Sequence, residues 1–267
     1  MTTLFVDDPP MNATKELLDA WKRDGFVRVS GVIGDDVLDE LRALVDAIAT
    51  DTLRTDEESP VLVHHEQTDH GVAIARAENL VPNHDGFRRL TSTGPLVELV
   101  GSLFAEAAVL YKEKVNFKQP GGAGFAPHQD ATAYKFADDH ITIMLAIDDA
   151  SADNGCLEMA AGEHHALFPT DGDGCIDPTL AEDLRWEPVE LQPGEMLAFS
   201  SHTPHRSASN TSDRPRRALF MTFNRRSVGD HREAYYADKV RHLAEHQGTD
   251  AQRISTIGHF QGKAPTS

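Results

Sequence analysis

The chain is short of cysteine, of aromatic residues and of positive charge. Cys156 and Cys175 are its only cysteines, and they form no CxxC pair. A disulfide framework or thiolate zinc site is therefore excluded, and a reducing compartment is the natural setting. Lys and Arg number 25 against 43 Asp and Glu, a formal net charge of −18. The field of such a protein repels polyanions, which excludes a general nucleic-acid or anionic-membrane binder but leaves room for a local basic pocket. No apolar run approaches the roughly 18 residues of a membrane-spanning helix. The opening residues, with Asp7 and Asp8, lack the basic and apolar regions of a signal peptide. The expected location is cytoplasmic, with no membrane and no nucleic-acid partner. Heptad, collagen and repeat patterns are also absent. The 40% apolar and 25% charged composition is that of an ordinary globular chain.

What is present reads as short strands with a few helices. Helical spacing runs from Thr14 to Arg23, ending at Asp24-Gly25, and from Asp36 to Ala49, where Val37, Leu41, Leu44, Val45 and Ile48 share a face. Phe26–Val29 alternates as a strand. The charged stretch Asp51 to Glu58 reads as a loop, Val72 to Arg76 as a short strand and Pro95 to Phe104 as a helix. Six apolar segments follow: Val109 to Lys118, Ile141 to Asp148, Cys156 to Met159, Glu187 to Leu191, Met196 to Phe199 and Arg217 to Phe223. Each is bounded by Gly, Pro, Asn or Asp. Without a βαβ rhythm, this predicts a mainly β antiparallel barrel or jelly roll with helices packed outside. His231 to His246 reads as a charged helix and the tail after Lys263 as frayed. No composition break divides residues 1–267, so a single domain is expected.

His128-Gln129-Asp130 is an H-x-D step, and His205 follows 77 residues later. Two imidazoles and a carboxylate can occupy one face of an octahedral Fe(II), leaving three positions for a cosubstrate and oxygen. At i and i+2 on a strand, both side chains project to the same side. With 14 His and Asp at about one residue in ten, roughly one such step arises by chance, and a surface turn pair would look the same. Two H-x-E steps compete: His64-His65-Glu66 in a polar loop, and His231-Arg232-Glu233 on a helix, where i and i+2 diverge. Context favours His128. It follows Gly121-Gly122-Ala123-Gly124, read as a flexible approach. Arg216 lies eleven residues after His205 and offers a bidentate fork to a carboxylate. His202, three residues before His205, is the rival ligand, and the spacing to Arg216 favours His205. His164-His165 reads as a loop cap, since consecutive side chains diverge in extended chain. Cys156 reads as a small buried apolar residue.

From Asp24 to Asn224 these residues resemble the phytanoyl-CoA dioxygenase-like branch of the Fe(II)/2-oxoglutarate oxygenases. The resemblance rests on Asp24-Gly25-Phe26-Val27, His128-Gln129-Asp130, Asn154-Gly155-Cys156-Leu157-Glu158, Gly162-Glu163-His164, Pro193-Gly194-Glu195, and His205-Arg206-Ser207 with Asn210 and Arg216. Glu163 stands where the family more often has Ser. The resemblance implies a double-stranded β-helix, cupin-like, with Fe(II), 2-oxoglutarate and O2 as cofactor and cosubstrates. It implies His128, Asp130 and His205 as iron ligands, and Arg216 with Ser207 on the distal carboxylate of 2-oxoglutarate. Asn116 and Lys118 are candidates for cosubstrate or substrate contact. The carboxylate at position 130 points to hydroxylation rather than halogenation.

Between Tyr111 and Lys118, Tyr111, Glu113, Val115 and Phe117 alternate with Lys112, Lys114, Asn116 and Lys118. Two readings stand: an edge strand whose lysines face water, or a strand that turns Lys112 and Lys114 into the barrel mouth to hold a small anionic substrate. The Tyr-Lys-Glu-Lys stretch is similar to that of hydroxylases of 2-aminoethylphosphonate and related phosphonates, and with 7% aromatics a fatty acyl thioester is disfavoured. The expected function is therefore hydroxylation of an aliphatic C–H in a small organophosphonate, 2-aminoethylphosphonate leading. Alternatives are a hydroxylase of a small amino acid or natural-product intermediate, a cupin-like metal enzyme that needs no Arg216, and a binding module that keeps the fold.

Overall fold

The computed structural model describes residues 13–50, 60–245, 255–263 and 265. In chain order the elements are α1 (Lys15–Asp24), β1 (Phe26–Val29), α2 (Asp35–Ala49), β2 (Leu62–Thr68), β3 (Gly71–Glu78), α3 (Asp85–Ser92), α4 (Pro95–Phe104), β4 (Ala108–Lys118), β5 (Phe125–His128) and β6 (His140–Ala146). They continue with β7 (Leu157–Ala160), α5 (Pro178–Asp183), β8 (Trp186–Val189), β9 (Met196–Ser200), β10 (His205–Ser207), β11 (Arg216–Arg225) and α6 (Arg232–Glu245). The expected loop Asp51 to Glu58 lies outside the described residues, as does nearly all of the tail after Lys263.

Local chemistry explains the helix ends. Thr14 accepts the Leu17 amide at 3.2 Å, and Gly25 closes α1 at φ +79° with its N–H on Trp21 O at 2.9 Å. A side chain at Gly25 would also collide with the His164 ring, 2.4 Å from an added Cβ. Gly94 precedes Pro95, which opens α4 where no N–H is needed.

Antiparallel pairing gives a seven-stranded sheet, β1-β9-β6-β11-β4-β3-β2, and a four-stranded sheet, β5-β10-β7-β8. One face of the larger sheet, with Val115, Phe117, Ile143, Leu145, Leu219 and Met221, packs on Leu41, Val45, Leu96 and Leu99 of α2 and α4. Each such side chain, fully buried, is worth about 1.5–3 kcal/mol. The opposite face, with Met144, Leu197, Phe199 and Phe220, meets Leu157 and Met159 of the smaller sheet. The architecture is a double-stranded β-helix with helices outside it, as the sequence predicts.

Three local expectations are corrected. His64-His65-Glu66 lies on β2, in register with β3, rather than in a loop. A polar strand is tolerated there because Glu66 accepts the Ala123 amide at 3.0 Å and His64 Nε2 reaches Glu78 at 3.3 Å. Residues 121–124 form a packed turn, not a flexible approach. Gly121 and Gly122 exchange backbone bonds with Asn210, and a Cβ at Gly124 would lie 2.4 Å from Ser207 O. Finally β4 is interior, paired with β11 on one side and β3 on the other, so its lysines do not face water.

Helix α6 docks on this sheet through charge. Arg232 pairs with buried Glu113, and Tyr236 Oη donates to Glu113 O at 3.0 Å. Lys239 Nζ donates to Glu78 Oε1 at 2.5 Å, both groups nearly solvent-free. Burial pushes the Glu78 carboxyl up, but Lys239 and the neighbouring cations outweigh this and hold it well below the usual range. Its stabilisation is therefore complete above the unfolded carboxylate value of about 4.3 and is lost as pH falls below that, through the depressed folded-state value. Lys239→Ala should cost about 3–5 kcal/mol by leaving Glu78 buried without this cation. Urea denaturation at pH 7 measures it, and the deficit should shrink as pH drops towards 4.

Candidate active site

β5 ends at His128, after which the chain leaves the sheet and begins a 3₁₀ turn at Asp130. Gln129 is fixed on the other side, donating to Ala166 O at 2.9 Å and His202 O at 2.6 Å and accepting from Phe168 N at 2.8 Å. The two flanking side chains are thereby turned inward. His205 opens β10 directly opposite His128 in the register, and the two rings lie 4.1 Å apart. Each imidazole donates Nδ1–H to the carbonyl two residues earlier, His128 to Ala126 O at 2.7 Å and His205 to Thr203 O at 3.0 Å. That tautomer, assigned from the bonds, leaves both Nε2 lone pairs free. His128 Nε2 is 3.9 Å from Asp130 Oδ1, and one donor atom from each of the three residues lies within 4.8 Å of the others.

The electrostatics suit metal ligation. Burial pushes His128 down to about 3, helped by His205, and lowers His205 as well. Burial alone would raise Asp130, but the adjacent His205 imidazole and the Lys112 and Lys114 side chains outweigh that and keep it ionised. Two neutral imidazoles and a carboxylate are thus held ready, the donor set of a facial Fe(II) site. His202 is outside it, lining a separate hollow with Trp21, His164 and His165. The His164 and His165 rings touch at 4.2 Å because the chain bends there, rather than diverging as extended chain would.

Strand β4 serves as a ruler along the cavity. Its register with β11 sets Lys118 opposite Arg216, Asn116 opposite Ala218, Lys114 opposite Phe220 and Lys112 opposite Thr222. At about 3.4 Å per residue, Lys118 and Lys112 are roughly 20 Å apart. The triad, together with Lys114, Asn116, Phe199, Ser207 and Arg216, lines a narrow cavity of about 20 Å³. Arg216 closes one end. It is 1% exposed, and its Nε and Nη1 have no hydrogen-bond partner among the described residues. Burial pushes even this guanidinium down to about 10. An open buried fork is what a carboxylate would satisfy. Ser207 accepts from Lys118 Nζ at 2.8 Å, and Lys118 also donates to Ala208 O at 2.5 Å. Lys118 therefore positions Ser207 beside Arg216 and has its own bonds satisfied. Asn116 is engaged as well, accepting from Arg76 Nε at 2.9 Å.

Lys112 and Lys114 differ. They are 6% and 9% exposed, and neither makes an ion pair or hydrogen bond among the described residues. Lys112 Nζ lies over the Tyr134 ring at 4.4 Å and Lys114 Nζ over the Phe220 ring at 5.2 Å. Burial pushes Lys112 down to about 8; burial and the charge of Arg76 push Lys114 well down. Sequence reading missed Arg76, Tyr134, His140 and His259. His259 lines the cavity with its ring 4.2 Å from that of His128. An Arg within the apolar alternation of β3 was a usable signal for Arg76. His259 comes from a segment with no periodicity, so nothing flagged it.

A family model described as Phytanoyl-CoA dioxygenase (PhyH) matches residues 21–218. A methylphosphonate hydroxylase of Gimesia maris is 43% identical over 94% of this chain and 96% of its own. A 2-aminoethylphosphonate dioxygenase of the uncultured bacterium HF130_AEPn_1 is 39% identical over 85% of this chain and 87% of its own. Among solved structures, EctD from S. alaskensis with 2-oxoglutarate and 5-hydroxyectoine superposes at TM-score 0.71, with 18% identity over 84% of this chain and 79% of that one. Among the described residues no helix is long and apolar enough to cross a membrane.

His128→Ala, Asp130→Ala and His205→Ala should each abolish stoichiometric Fe(II) binding after anaerobic reconstitution, whereas His202→Ala should keep it. Iron content per chain decides between His205 and His202.

Proposed function

The chain belongs to the phytanoyl-CoA dioxygenase family and is a dioxygenase, and from that premise we propose that it hydroxylates an aliphatic C–H of a small organophosphonate with Fe(II), 2-oxoglutarate and O2. His128, Asp130 and His205 would hold the iron. Arg216, with Ser207 set by Lys118, would take the distal carboxylate of 2-oxoglutarate. When bound, iron, cosubstrate and oxygen together supply the oxidising power, and 2-oxoglutarate leaves as succinate and carbon dioxide. The chain's own part is to orient the reacting C–H, neutralise the substrate's charge and exclude water.

The observation that carries the substrate class is the pair of buried ammonium groups of Lys112 and Lys114 without an anion. Among the described residues Arg76, Lys112, Lys114, Lys118, Arg216 and Lys239 are the buried Lys and Arg side chains, against Glu66, Glu78, Glu113 and Asp130. The excess of two becomes four with a divalent ion and falls to zero with two bound dianions. A phosphonate beside 2-oxoglutarate thus balances the site. The two phosphonate-acting relatives support the same class.

Sequence resemblance put 2-aminoethylphosphonate first. The interior favours a plain alkylphosphonate, because the carboxylates that could take an ammonium are engaged: Glu78 with Lys239, Glu66 with the Ala123 amide, and Asp130 in the triad. Succinate release with methylphosphonate should accordingly exceed that with 2-aminoethylphosphonate. Failure of both, with turnover of an uncharged or long-chain substrate, overturns the reading.

Arg216→Ala should weaken 2-oxoglutarate by a hundredfold or more, about 3–5 kcal/mol for a broken buried charge pair, while sparing iron. Lys there should rescue only in part, lacking the planar fork. Titration of the metal-to-ligand charge-transfer band measures both.

Lys112→Ala or Lys114→Ala should raise the phosphonate KM about tenfold, since a hydrogen bond to a charged group is worth roughly 1.5–3 kcal/mol. With Lys112 near 8 in the free protein, its ammonium deprotonates as pH rises. kcat/KM should then fall through about pH 8, and Lys112→Met should lose that limb of the profile.

A further inference from the structure

Beyond Asp130, around Lys112, several buried polar atoms have no hydrogen bond of ordinary geometry among the described residues. They include the hydroxyl of Tyr134 and both ring nitrogens of His140. Tyr134 is 9% exposed and His140 not at all. They sit together, with the Tyr134 and His140 rings 4.6 Å apart and Tyr111 packed on His140 at 4.5 Å. The Lys112 ammonium lies among the rings, 4.4 Å from Tyr134 and 5.5 Å from Tyr235. Thr222, opposite Lys112 in the register, shares a 3.0 Å hydroxyl contact with Thr142. The Tyr134 hydroxyl lies close to both Thr222 and Asp130, which sets this group of side chains beside the triad.

A buried polar atom without a partner is costly, and native proteins rarely keep one without a ligand or water to satisfy it. Here such atoms adjoin an ammonium that also has no anion. The donors come from three directions: Lys112 from β4, Tyr134 from the turn after Asp130, and His140 from the start of β6. A planar carboxylate presents two oxygens in one plane. A phosphonate presents three, arranged about a tetrahedral centre, and can meet all three donors at once.

We infer that Lys112, Tyr134 and His140 form a headgroup pocket for a tetrahedral oxyanion, in which Tyr134 and His140 hydrogen-bond the phosphonate oxygens and hold the adjoining carbon beside His128, Asp130 and His205. The identification of that oxyanion as a phosphonate rests on the function proposed above. Burial and the charge of Lys112 keep His140 neutral, pushed down to about 3, so one ring nitrogen retains a proton to donate. Tyr134 and His140 are then specificity residues that separate phosphonates from carboxylates of equal length.

The test uses the full chain with Fe(II) and 2-oxoglutarate under anaerobic conditions. Orthophosphate serves as a substrate-independent probe, with acetate as its planar control, both followed by calorimetry. The wild type should bind orthophosphate well ahead of acetate, and orthophosphate should compete with methylphosphonate in turnover. Tyr134→Phe and His140→Gln should each weaken orthophosphate and raise the methylphosphonate KM by about tenfold, with the 2-oxoglutarate charge-transfer band and its affinity retained. The retained band shows that the variants are folded and loaded. If the wild type turns over methylphosphonate and both variants keep its KM within twofold, the headgroup pocket is refuted. If no phosphonate is turned over but orthophosphate binding depends on Tyr134 and His140, the oxyanion pocket stands and the phosphonate reading falls. Equal binding of acetate and orthophosphate overturns the tetrahedral assignment.

Discussion

Positive charge buried without matching negative charge is the constraint on which the interior of this protein depends. Arg216 at one end of the β4–β11 cationic row, and Lys112 and Lys114 towards the other, are largely removed from water and lack carboxylate partners among the described residues. Desolvating such groups is expensive. A core that served stability alone would have replaced them with apolar side chains. The surrounding sheets bear that cost. The outer face of the larger sheet is packed with apolar residues against α2 and α4, leaving the inner face free for chemistry.

The same contrast separates structural charges from functional ones. Glu78 with Lys239, and Glu113 with Arg232, are closed pairs that fix α6 to the sheet. Lys118 belongs with them, since its ammonium is spent on Ser207 and two backbone carbonyls. The open cations are those whose partners would arrive with ligands. Antiparallel register is what sorts them. Each residue of β4 is matched to one of β11, so Lys118 and Arg216 share a level, as do Lys112 and Thr222. A one-residue slip would turn the whole cationic row towards the helices.

The triad shows the same economy. A single residue, Gln129, ties the step between His128 and Asp130 to the loop at Ala166 and Phe168 and to His202. The imidazole tautomers are set by carbonyls two positions upstream. Metal-binding geometry is thus built from carbonyls beside each imidazole and from the bonds of Gln129 to a distant loop, while the substrate end is assembled from β4, β6 and the turn after Asp130.

The sequence by itself determined the elements whose signals are local. Alternation marked β1 and β4, apolar segments between turn residues marked the later strands including β11, the Asp24-Gly25 stop marked the end of α1, and the H-x-D step with a later His and Arg marked one end of the cavity. Those patterns are legible because strand alternation and capping depend on neighbours in the chain. β2 was misread because its polar side chains are paired by Glu78 and the Ala123 amide, partners that no local window contains. Whether Lys112 and Lys114 faced water or the interior could not be read from alternation, which fixes only that they share a face. Pairing of β4 between β11 and β3 decided it. Tyr134, His140 and His259 carry no periodic signal and acquire their meaning from where the sheets fold. Only tertiary structure could decide their part, because the burial and the neighbours of a polar side chain are set by segments far away in the chain.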